Sequence, residues 1–420
     1  LRLMTKKVLV IAYHFPPMTA SSGIQRTLNF VRYLRNRGWE SVVLSASPRA
    51  YSRTGNEQLG EIPAGMRVER AFALDAARHL SLAGRYPGFV ADPDRWASWL
   101  PFAVRTGRKL IREEHPSAIF STYPIATAHR IGCRLADWSG LPWIADFRDS
   151  MYDDGYPEGA RERAINTKLD RETVVRSTRA VFTTPSARDM YAKRYPELPG
   201  DRWALIPNGY DEEDFRKLSI EPDLGLTNPR RSGPLVLLHS GTLYPVERNP
   251  MPFFNALRQL KVHASVNADR LRIRLRATGH DELYARFIRD AGLQDIVELL
   301  DPLPYRAALK EMLEVDGLLL FQAQGCNHQI PAKLYEYLRA QKPIITLTDP
   351  SGDTAAVLRE AVADNLLPLE DEGVLVSELP ALLDKLEHGT LKIAPIDIAR
   401  RFSREQGAAK LADILDSVTA

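Results

Sequence analysis

The sequence predicts an α/β protein made of two doubly wound halves, each with a parallel sheet covered by helices on both faces. The chain has 420 residues, which is too long for one ordinary hydrophobic core. Short apolar runs alternate with amphipathic stretches along both halves, as in parallel sheets buried on both sides. The alternation stops in a charged stretch at residues 210–233 and then resumes. Two domains joined by this stretch are the expected organisation.

Each half contains apolar runs of strand length, and helix-like stretches such as residues 25–37 and 103–114 lie between them. The predicted strands of the first half are residues 8–13, 41–45, 118–122, 143–146, 180–184 and 203–207. Those of the second half are residues 234–240, 271–277, 296–300, 317–322, 343–348 and 365–369. In such sheets, ligands bind where the carboxyl ends of the strands meet their loops.

The predicted boundaries are residues 1–212 for the first domain and 233–397 for the second. Residues 398–420 form a third segment. Its apolar side chains recur every three or four positions, which predicts one helix packed on a domain surface.

The composition excludes several classes of protein. Apolar residues make up 44% and charged residues 26%, which is typical of soluble globular chains, and the net charge of +3 is too small to indicate nucleic acid. Two distant cysteines argue against a disulfide scaffold and against a cysteine metal site. The apolar run near the start is too short for a signal peptide or a membrane span, so it predicts a first buried strand in a cytoplasmic protein.

The most informative stretch is residues 327–345. Pro331 suits the first turn of a helix over residues 332–340, whose free N–H groups would point toward a bound anion. Lys333 and Glu336 lie three residues apart and therefore on one helix face. A diphosphate next to a ribose would use both groups, although an ordinary surface helix would also carry such a pair.

A second candidate loop follows the first strand of the second half. It contains Gly241 and then Arg248, just before a predicted helix. The planar guanidinium suits phosphate oxygens, and Arg248 is expected at the same sheet end as Lys333. The alternative for Arg248 alone is a solvated charge.

Two loops of the first half complete the candidates. Ser21, Ser22 and Gly23 open a helix after the first strand, which suits either phosphate approach or a plain helix cap. Asp146, Arg148 and Asp149 end another strand. They are expected to contact sugar hydroxyls or to act as a base, or else to form an internal Asp–Arg pair that shapes the loop.

Several segments together resemble glycosyltransferase family 4, of the GT-B fold, from Lys7 to the C-terminus. They are HFPPMTASSGIQR, PWIADFRDS, IPNGYDEEDF, HSGTLYPVERNP and IPAKLYEYLRAQKPII. The resemblance implies two Rossmann-like domains facing across a cleft, with the nucleotide on the C-terminal domain and the acceptor on the N-terminal one. It also implies a final helix that crosses back to the first domain. The implied reaction moves a sugar from a nucleotide-diphospho-sugar to an acceptor with retention at the anomeric carbon and no required metal or other cofactor.

The resemblance also implies residue roles. Gly23 matches a loop glycine near the donor phosphate, Arg248 and Lys333 match the cationic pair at the diphosphate, and Glu336 matches a glutamate that holds the ribose. Gly241 and His328 complete the predicted donor site. His328 stands where the family has a glutamate that contacts the transferred sugar, so the donor sugar is left open.

Further expectations concern the acceptor and the membrane. His14 is placed near the cleft by its loop, with Asp146, Arg148 and Asp149 as sugar or acceptor contacts. The acceptor is expected to be a sugar or a lipid-linked molecule, in polysaccharide or glycolipid synthesis. Residues 96–112 mix tryptophan with arginine and lysine, which suits either an interfacial helix, with a peripheral membrane contact at the inner face, or a helix packed on the first sheet.

Three alternatives remain from the sequence. One is an epimerase-like enzyme of the same fold, which would act on the nucleotide sugar without an acceptor. Another is an inactive nucleotide-binding homologue, suggested by His328. The third concerns Asp92 and Asp94, which spell the D-x-D pattern of manganese-dependent transferases, although structural use beside Trp96 and Trp99 is the favoured interpretation.

Overall fold

The computed structural model describes residues 6–19, 22–82, 85–153, 156–219 and 233–420. It divides into two compact units. The first comprises Leu1–Asn208 with Arg404–Ala420, and the second comprises Gly209–Ser403. Ser21 and residues 220–232 of the predicted link lie outside the described residues.

The first unit alternates strands and helices along the chain. Its strands are β1 (Lys6–Ile11), β2 (Trp39–Ala46), β3 (Val68–Ala71), β4 (Ala118–Thr122), β5 (Trp143–Phe147), β6 (Arg179–Phe182) and β7 (Trp203–Leu205). Its helices are α1 (Ser22–Tyr33), α2 (Ala76–His79), α3 (Trp99–Glu114), α4 (Ala126–Ser139), α5 (Ala160–Arg176) and α6 (Pro185–Arg194).

The seven strands form one sheet in the order β3-β2-β1-β4-β5-β6-β7, and every pairing is parallel. The strand order reverses between β1 and β4. This switch point leaves a crevice at the carboxyl ends of the two strands. The loop that carries His14 follows β1 at this edge, and Gly23 lies in the first turn of α1.

The second unit repeats the pattern. Its strands are β8 (Leu235–Ser240), β9 (Leu271–Arg276), β10 (Val297–Leu300), β11 (Gly317–Gln322), β12 (Ile344–Thr348) and β13 (Asn365–Leu367). Its helices are α7 (Glu212–Ser219), α8 (Met251–Val262), α9 (Asp281–Asp290), α10 (Tyr305–Glu314), α11 (Lys333–Arg339), α12 (Asp353–Glu360), α13 (Glu372–Glu387) and α14 (Ile396–Arg400). The last helix of the chain, α15 (Arg404–Thr419), belongs to the first unit.

The second sheet has the order β10-β9-β8-β11-β12-β13, again all parallel. Its switch point lies between β8 and β11, where Gly317 pairs with Leu237 and Leu318 with Leu238. The carboxyl ends of these two central strands therefore meet.

Each sheet has a hydrophobic core on both faces, because successive strand residues point to opposite sides. On β1, Leu9 and Ile11 join one core while Val8 and Val10 join the other. This second core includes Leu411 of α15. The predicted two-sided burial of the strands explains why their sequences are apolar without alternation.

The structure differs from the sequence prediction in three segments. Val68–Ala71 is an edge strand, and its sequence VERA has too little apolar character to be recognised. The expected link begins later than predicted, because Glu212–Ser219 is a helix whose Phe215 and Leu218 are buried in the second unit. The single predicted C-terminal helix is two helices, separated where Phe402 packs in the second unit and α15 packs in the first.

Helix α3 packs on the first sheet through Trp99, Ala103 and Leu110, which are fully buried. Its opposite face exposes Phe102 and several basic side chains. Within the described ranges, no helix combines the length and apolar character needed to cross a membrane.

Candidate functional site

The candidate site of the second unit is built at the switch point of its sheet. The loop after β8 carries Gly241 and Arg248, and the loop after β11 carries His328 and leads into α11. Because β8 and β11 are neighbours, both loops leave the sheet at the same edge. The structure thus brings together the two segments that the sequence singled out.

Lys333 begins α11 and points its ammonium inward. Its Nζ lies 2.8 Å from Nε2 of His239, at the end of β8. It also lies 3.0 Å from the point where a Cβ on Gly241 would stand. Burial lowers the pKa of Lys333 well below its usual range, the charge of Arg248 lowers it further, and Glu336 acts in the opposite direction.

Arg248 is held by neutral partners. One guanidinium nitrogen donates to the carbonyl oxygen of Thr242 at 3.2 Å, and Nε donates to Oε1 of Gln322 at 3.5 Å. The guanidinium lies over the ring of Tyr244, 5.2 Å from its centre. Burial is the main cause that lowers the pKa of Arg248.

The two cations share one polar environment without a carboxylate in an ion pair with either of them, within the part of the chain that the structure describes. Buried charges are normally paired, since removing them from water is costly. Arg248 and Lys333 are partly buried, and a site that holds two such cations against neutral acceptors is suited to an anionic ligand.

Glu336 lies one turn further along α11. Its Oε1 accepts a hydrogen bond of 2.9 Å from the hydroxyl of Tyr305, at the start of α10. The helix itself is anchored by Arg339, which makes two bonds of 2.7 Å to Glu212 of α7. This bidentate pair attaches α11 to α7.

His328 lies, partly buried, in the loop that precedes α11. Neighbouring residues fix this loop: Nδ2 of Asn327 donates to Asp349 at 2.7 Å, and the hydroxyl of Thr354 donates to the carbonyl oxygen of Gln329 at 3.2 Å. His328 therefore belongs to the same segment as Lys333, at the carboxyl end of β11.

In the first unit, Asp146 is fully buried at the end of β5. The guanidinium of Arg26 binds its two oxygens at 2.7 and 3.1 Å, and the hydroxyl of Thr122 donates to one of them at 2.8 Å. Asp146 thus forms the internal Asp–Arg pair that the sequence left open, with Arg26 in the place considered for Arg148. An enclosed carboxylate with these partners shapes the loop rather than contacting a sugar directly.

His14, Gly23 and Arg148 lie against one another. A Cβ atom on Gly23 would overlap the imidazole of His14 and the guanidinium of Arg148, so the close packing requires glycine here. Burial, followed by the charge of Arg148, lowers the pKa of His14 to about 3, which keeps its imidazole neutral. Asp149 is exposed beside them.

The D-x-D pattern has a structural use. Asp94 accepts hydrogen bonds from the backbone N–H and the hydroxyl of Thr127, at 2.7 and 2.9 Å, near the start of α4. Asp92 forms an ion pair with Arg130 at 3.4 Å. Among the described residues, no group of three or more histidine, cysteine or acidic side chains has the arrangement of a metal site.

Comparison with protein families gives one match. Residues 22–209 match the family model described as a glycosyl transferase 4-like domain. This matched range covers most of the first unit, which is therefore similar to a glycosyl transferase 4-like domain. This match agrees with the resemblance to glycosyltransferase family 4 that the sequence motifs indicated.

Solved structures extend the likeness over the whole chain. A glycosyltransferase from Rickettsia africae ESF-5 has 11% identity and a TM-score of 0.63, over 99% of each chain. The Anabaena protein HepE in complex with UDP-glucose has 14% identity and a TM-score of 0.64, over 98% of this chain and 99% of that one. The α,α-trehalose 6-phosphate synthase from Burkholderia multivorans has 12% identity and a TM-score of 0.63, over 99% of each chain. No curated protein matches the chain.

At these identities the likeness concerns the fold. It confirms the predicted GT-B class, with two units that each contain a doubly wound parallel sheet.

Sequence reasoning missed two residues of the second-unit site. The position of His239 near the end of a predicted strand, two residues before Gly241, could have made it a candidate. Its contact with Lys333 could not be predicted, because the two residues are 94 positions apart. No sequence pattern marked Tyr305 as a site residue, because its contact with Glu336 depends on how α10 and α11 pack together.

Proposed function

We propose that this chain is a retaining glycosyltransferase that moves a sugar from a nucleotide-diphospho-sugar to an acceptor and requires no metal. The observation that carries the proposal is the pair Arg248 and Lys333, two cations with neutral partners at the switch point of the second sheet. The diphosphate of the donor supplies the missing negative charge.

The chemical role of the pair follows from where charge develops. When the bond between the anomeric carbon and the diphosphate breaks, negative charge grows on the departing oxygens. A cation at about 4 Å contributes on the order of a few kcal/mol at an intermediate effective dielectric. Groups already held in place need no reorganisation during the reaction, which is the main source of such electrostatic stabilisation.

Retention is proposed from the family resemblance. In this mechanism the acceptor oxygen forms its bond on the face from which the diphosphate departs. The bond from the anomeric carbon to the acceptor oxygen replaces the bond to the phosphate oxygen, and that phosphate oxygen takes the proton of the acceptor hydroxyl. Arg248 and Lys333 hold the diphosphate throughout.

The donor is proposed to be a nucleoside diphosphate sugar whose ribose hydroxyls bind Glu336. The carboxylate of Glu336 accepts a hydrogen bond from Tyr305 at Oε1, and a carboxylate can accept from several donors at once. Gly241, in the loop after β8, and His328, in the loop after β11, are also proposed to line the donor site. UDP-glucose is the first donor to test, because HepE has been solved with it.

The acceptor, a sugar or lipid-linked molecule in polysaccharide or glycolipid synthesis, is proposed to contact the first unit near His14, Gly23, Arg148 and Asp149. The neutral imidazole of His14 donates or accepts hydrogen bonds, and Arg148 and Asp149 supply charges of both signs. Asp146 contributes indirectly by holding Arg26 at this end of the sheet.

A lipid-linked acceptor would suit a peripheral membrane contact through α3. Phe102 is 45% exposed and packs against Phe72, 39% exposed, with ring centres 4.8 Å apart. Arg108 and Arg112 flank the half-exposed ring of Trp138, each 5.3 Å from its centre. Aromatic and basic side chains together favour an anionic lipid surface.

The membrane contact is tested by sedimentation with vesicles of phosphatidylcholine alone and with vesicles that also contain the anionic lipid phosphatidylglycerol. The protein should sediment with the anionic vesicles, and the double variant Arg108→Ala and Arg112→Ala should stay in the supernatant. Equal sedimentation of the wild type and the double variant would show that Arg108 and Arg112 of α3 do not bind the membrane.

The activity is tested by incubating the protein with a panel of nucleotide sugars, with and without lipid-linked acceptors. Nucleoside diphosphate release that depends on acceptor, with a product of retained anomeric configuration by NMR, supports transfer. Epimer or free sugar formed without acceptor would favour the epimerase-like alternative. Nucleotide binding without turnover would identify an inactive homologue.

The same assay with the chelator EDTA added tests whether the reaction requires a metal ion. Activity in EDTA equal to that in buffer supports the proposal, and activity restored only by added Mn²⁺ or Mg²⁺ contradicts it. The Lys385→Ala variant, which removes an exposed lysine of α13, is the matched control for all assays of the second unit.

A further inference from the structure

The contacts of His239 define its protonation state. Its Nδ1 lies 2.9 Å from the carbonyl oxygen of Leu319 on the neighbouring strand β11, and its Nε2 lies 2.8 Å from the ammonium of Lys333. A carbonyl oxygen only accepts, so Nδ1 carries the hydrogen. An ammonium only donates, so Nε2 is the acceptor. With Lys333 protonated, these two contacts correspond to the neutral Nδ1–H tautomer of the imidazole, whose ring also has a backbone hydrogen bond with Gly241.

The surroundings of His239 keep it neutral. The side chain is completely buried, and its ring packs edge-on against Phe321 at 5.3 Å. Burial lowers the pKa of His239 well below its usual range, and the charge of Lys333 lowers it further. A second proton would place two cations in direct contact.

A neutral acceptor has a consequence for the ammonium that it binds. A carboxylate at this position would neutralise Lys333 and compete with an incoming anion. The imidazole instead fixes the direction of the ammonium and leaves its full charge available. Within the described ranges, the one side-chain hydrogen bond of the Lys333 ammonium is that to His239, so its other N–H bonds can reach a ligand in the space that the missing side chain of Gly241 leaves open.

We propose that His239 is a positioning residue for the donor diphosphate, which orients the Lys333 ammonium through Nε2 while its own ring is locked to β11 through Nδ1. The proposal rests on the proposed function of the site. His239 does not touch the diphosphate; it acts through Lys333.

Two amide variants separate this role from a packing role. In His239→Gln the amide oxygen reaches the position of Nε2 and keeps the acceptor for Lys333. In His239→Asn the shorter amide keeps a donor near Nδ1 for Leu319 and loses the acceptor. Both variants lose the aromatic ring and its contact with Phe321, so a loss that comes from packing alone affects them equally.

The experiment measures binding of inorganic pyrophosphate and of uridine diphosphate by calorimetry, with the full chain. We expect His239→Gln to bind both within about threefold of the wild type and His239→Asn to bind both about tenfold more weakly, a difference of about 1.4 kcal/mol. His263→Asn, an exposed histidine after α8, is the matched control. Thermal unfolding verifies that each variant is folded.

The pH profile gives a second readout. The titratable and charged groups that face the ammonium of Lys333 are His239, Arg248 and Glu336. Pyrophosphate affinity of the wild type should fall as the pH rises through the lowered pKa of Lys333, and in His239→Asn that fall should occur at a different pH. Nitrogen NMR of labelled histidine should show the Nδ1–H tautomer from pH 6 to 9.

These experiments distinguish a failure of the proposed function from a failure of the positioning role of His239. Absence of pyrophosphate and uridine diphosphate binding by the wild type would overturn the proposed function of the site. Wild-type binding with equal losses in the two amide variants, or an Nε2–H tautomer in the spectrum, would overturn the positioning role alone.

Discussion

The ammonium of Lys333 lies 3.0 Å from the place where a Cβ atom on Gly241 would stand. Gly241 has φ of +111°, a conformation that side chains rarely adopt. The backbone conformation therefore favours glycine at the end of β8, and an added methyl group would in addition require the ammonium to shift by a few tenths of an ångström.

We predict that Gly241→Ala weakens nucleoside diphosphate binding by about tenfold or more, because the methyl group displaces Lys333 from its contact with His239. The matched control is Gly389→Ala, which also has a positive φ, +67°, and no atom near the added methyl group. The control should lose about 1 kcal/mol of stability and no affinity. Equal affinities of the two variants would contradict the role of this contact.

Lys333→Ala should lower turnover by about tenfold or more, since the charge-assisted contact to the leaving group is lost. The measurement is the steady-state release of nucleoside diphosphate, with circular dichroism to verify folding. Lys385→Ala should retain full turnover. A folded Lys333→Ala enzyme with wild-type turnover would exclude this lysine from the chemistry.

Glu336→Gln should reduce the preference for ribose over 2′-deoxyribose, because the carboxylate is the proposed acceptor for the ribose hydroxyls. The affinity for uridine diphosphate should fall by roughly tenfold, and that for its 2′-deoxy analogue should change little. Tyr305→Phe removes the hydroxyl bound to Glu336 and should give a smaller change of the same sign. An equal loss for both nucleotides would place the ribose elsewhere.

Asp170 should make the first unit less stable as the pH rises. It is buried, accepts hydrogen bonds from Tyr191 and Tyr195, and has its pKa raised to about 6 by burial. Between the unfolded value of 3.8 and about 6 the folded state binds more protons, so this group lowers the free energy of unfolding as the pH rises through that range.

The measurement is the free energy of unfolding from denaturant titrations, as the value for the wild type minus the value for Asp170→Asn, at several pH values from 4 to 7. The difference should fall by an amount on the order of 2 kcal/mol across the window, following the size of the pKa shift. Asp189→Asn, an exposed carboxylate on α6, is the control and should show no such trend. A flat difference for Asp170 would contradict the raised pKa.

Most of the fold could be predicted from the chain alone. Strands buried on both faces need continuous apolar runs, and these runs are visible as β1, β4, β11 and β12 without any tertiary information. The edge strand β3, with the sequence VERA, was missed because one side of it is only partly buried. The helix α7 was missed because its charged sequence hides the two apolar residues that pack in the second unit.

The sequence predicted which loops form the candidate site. Gly241, Arg248 and Lys333 follow or precede apolar strands, and the rule that loops gather at carboxyl strand ends brings them together. The orientation of their side chains was not predictable. Arg148 and Arg26 were equally available as partners for Asp146, and only the packed structure selects Arg26.

The sequence by itself determined the two parallel sheets, the glycines at their loop ends and the cations near the second switch point, since periodicity and turn chemistry are local properties. The tertiary structure decided that a neutral His239 orients Lys333 and that Arg26 neutralises Asp146. These bonds join residues 94 and 120 positions apart. Such partners depend on which strands become neighbours, and strand order is a property of the whole fold.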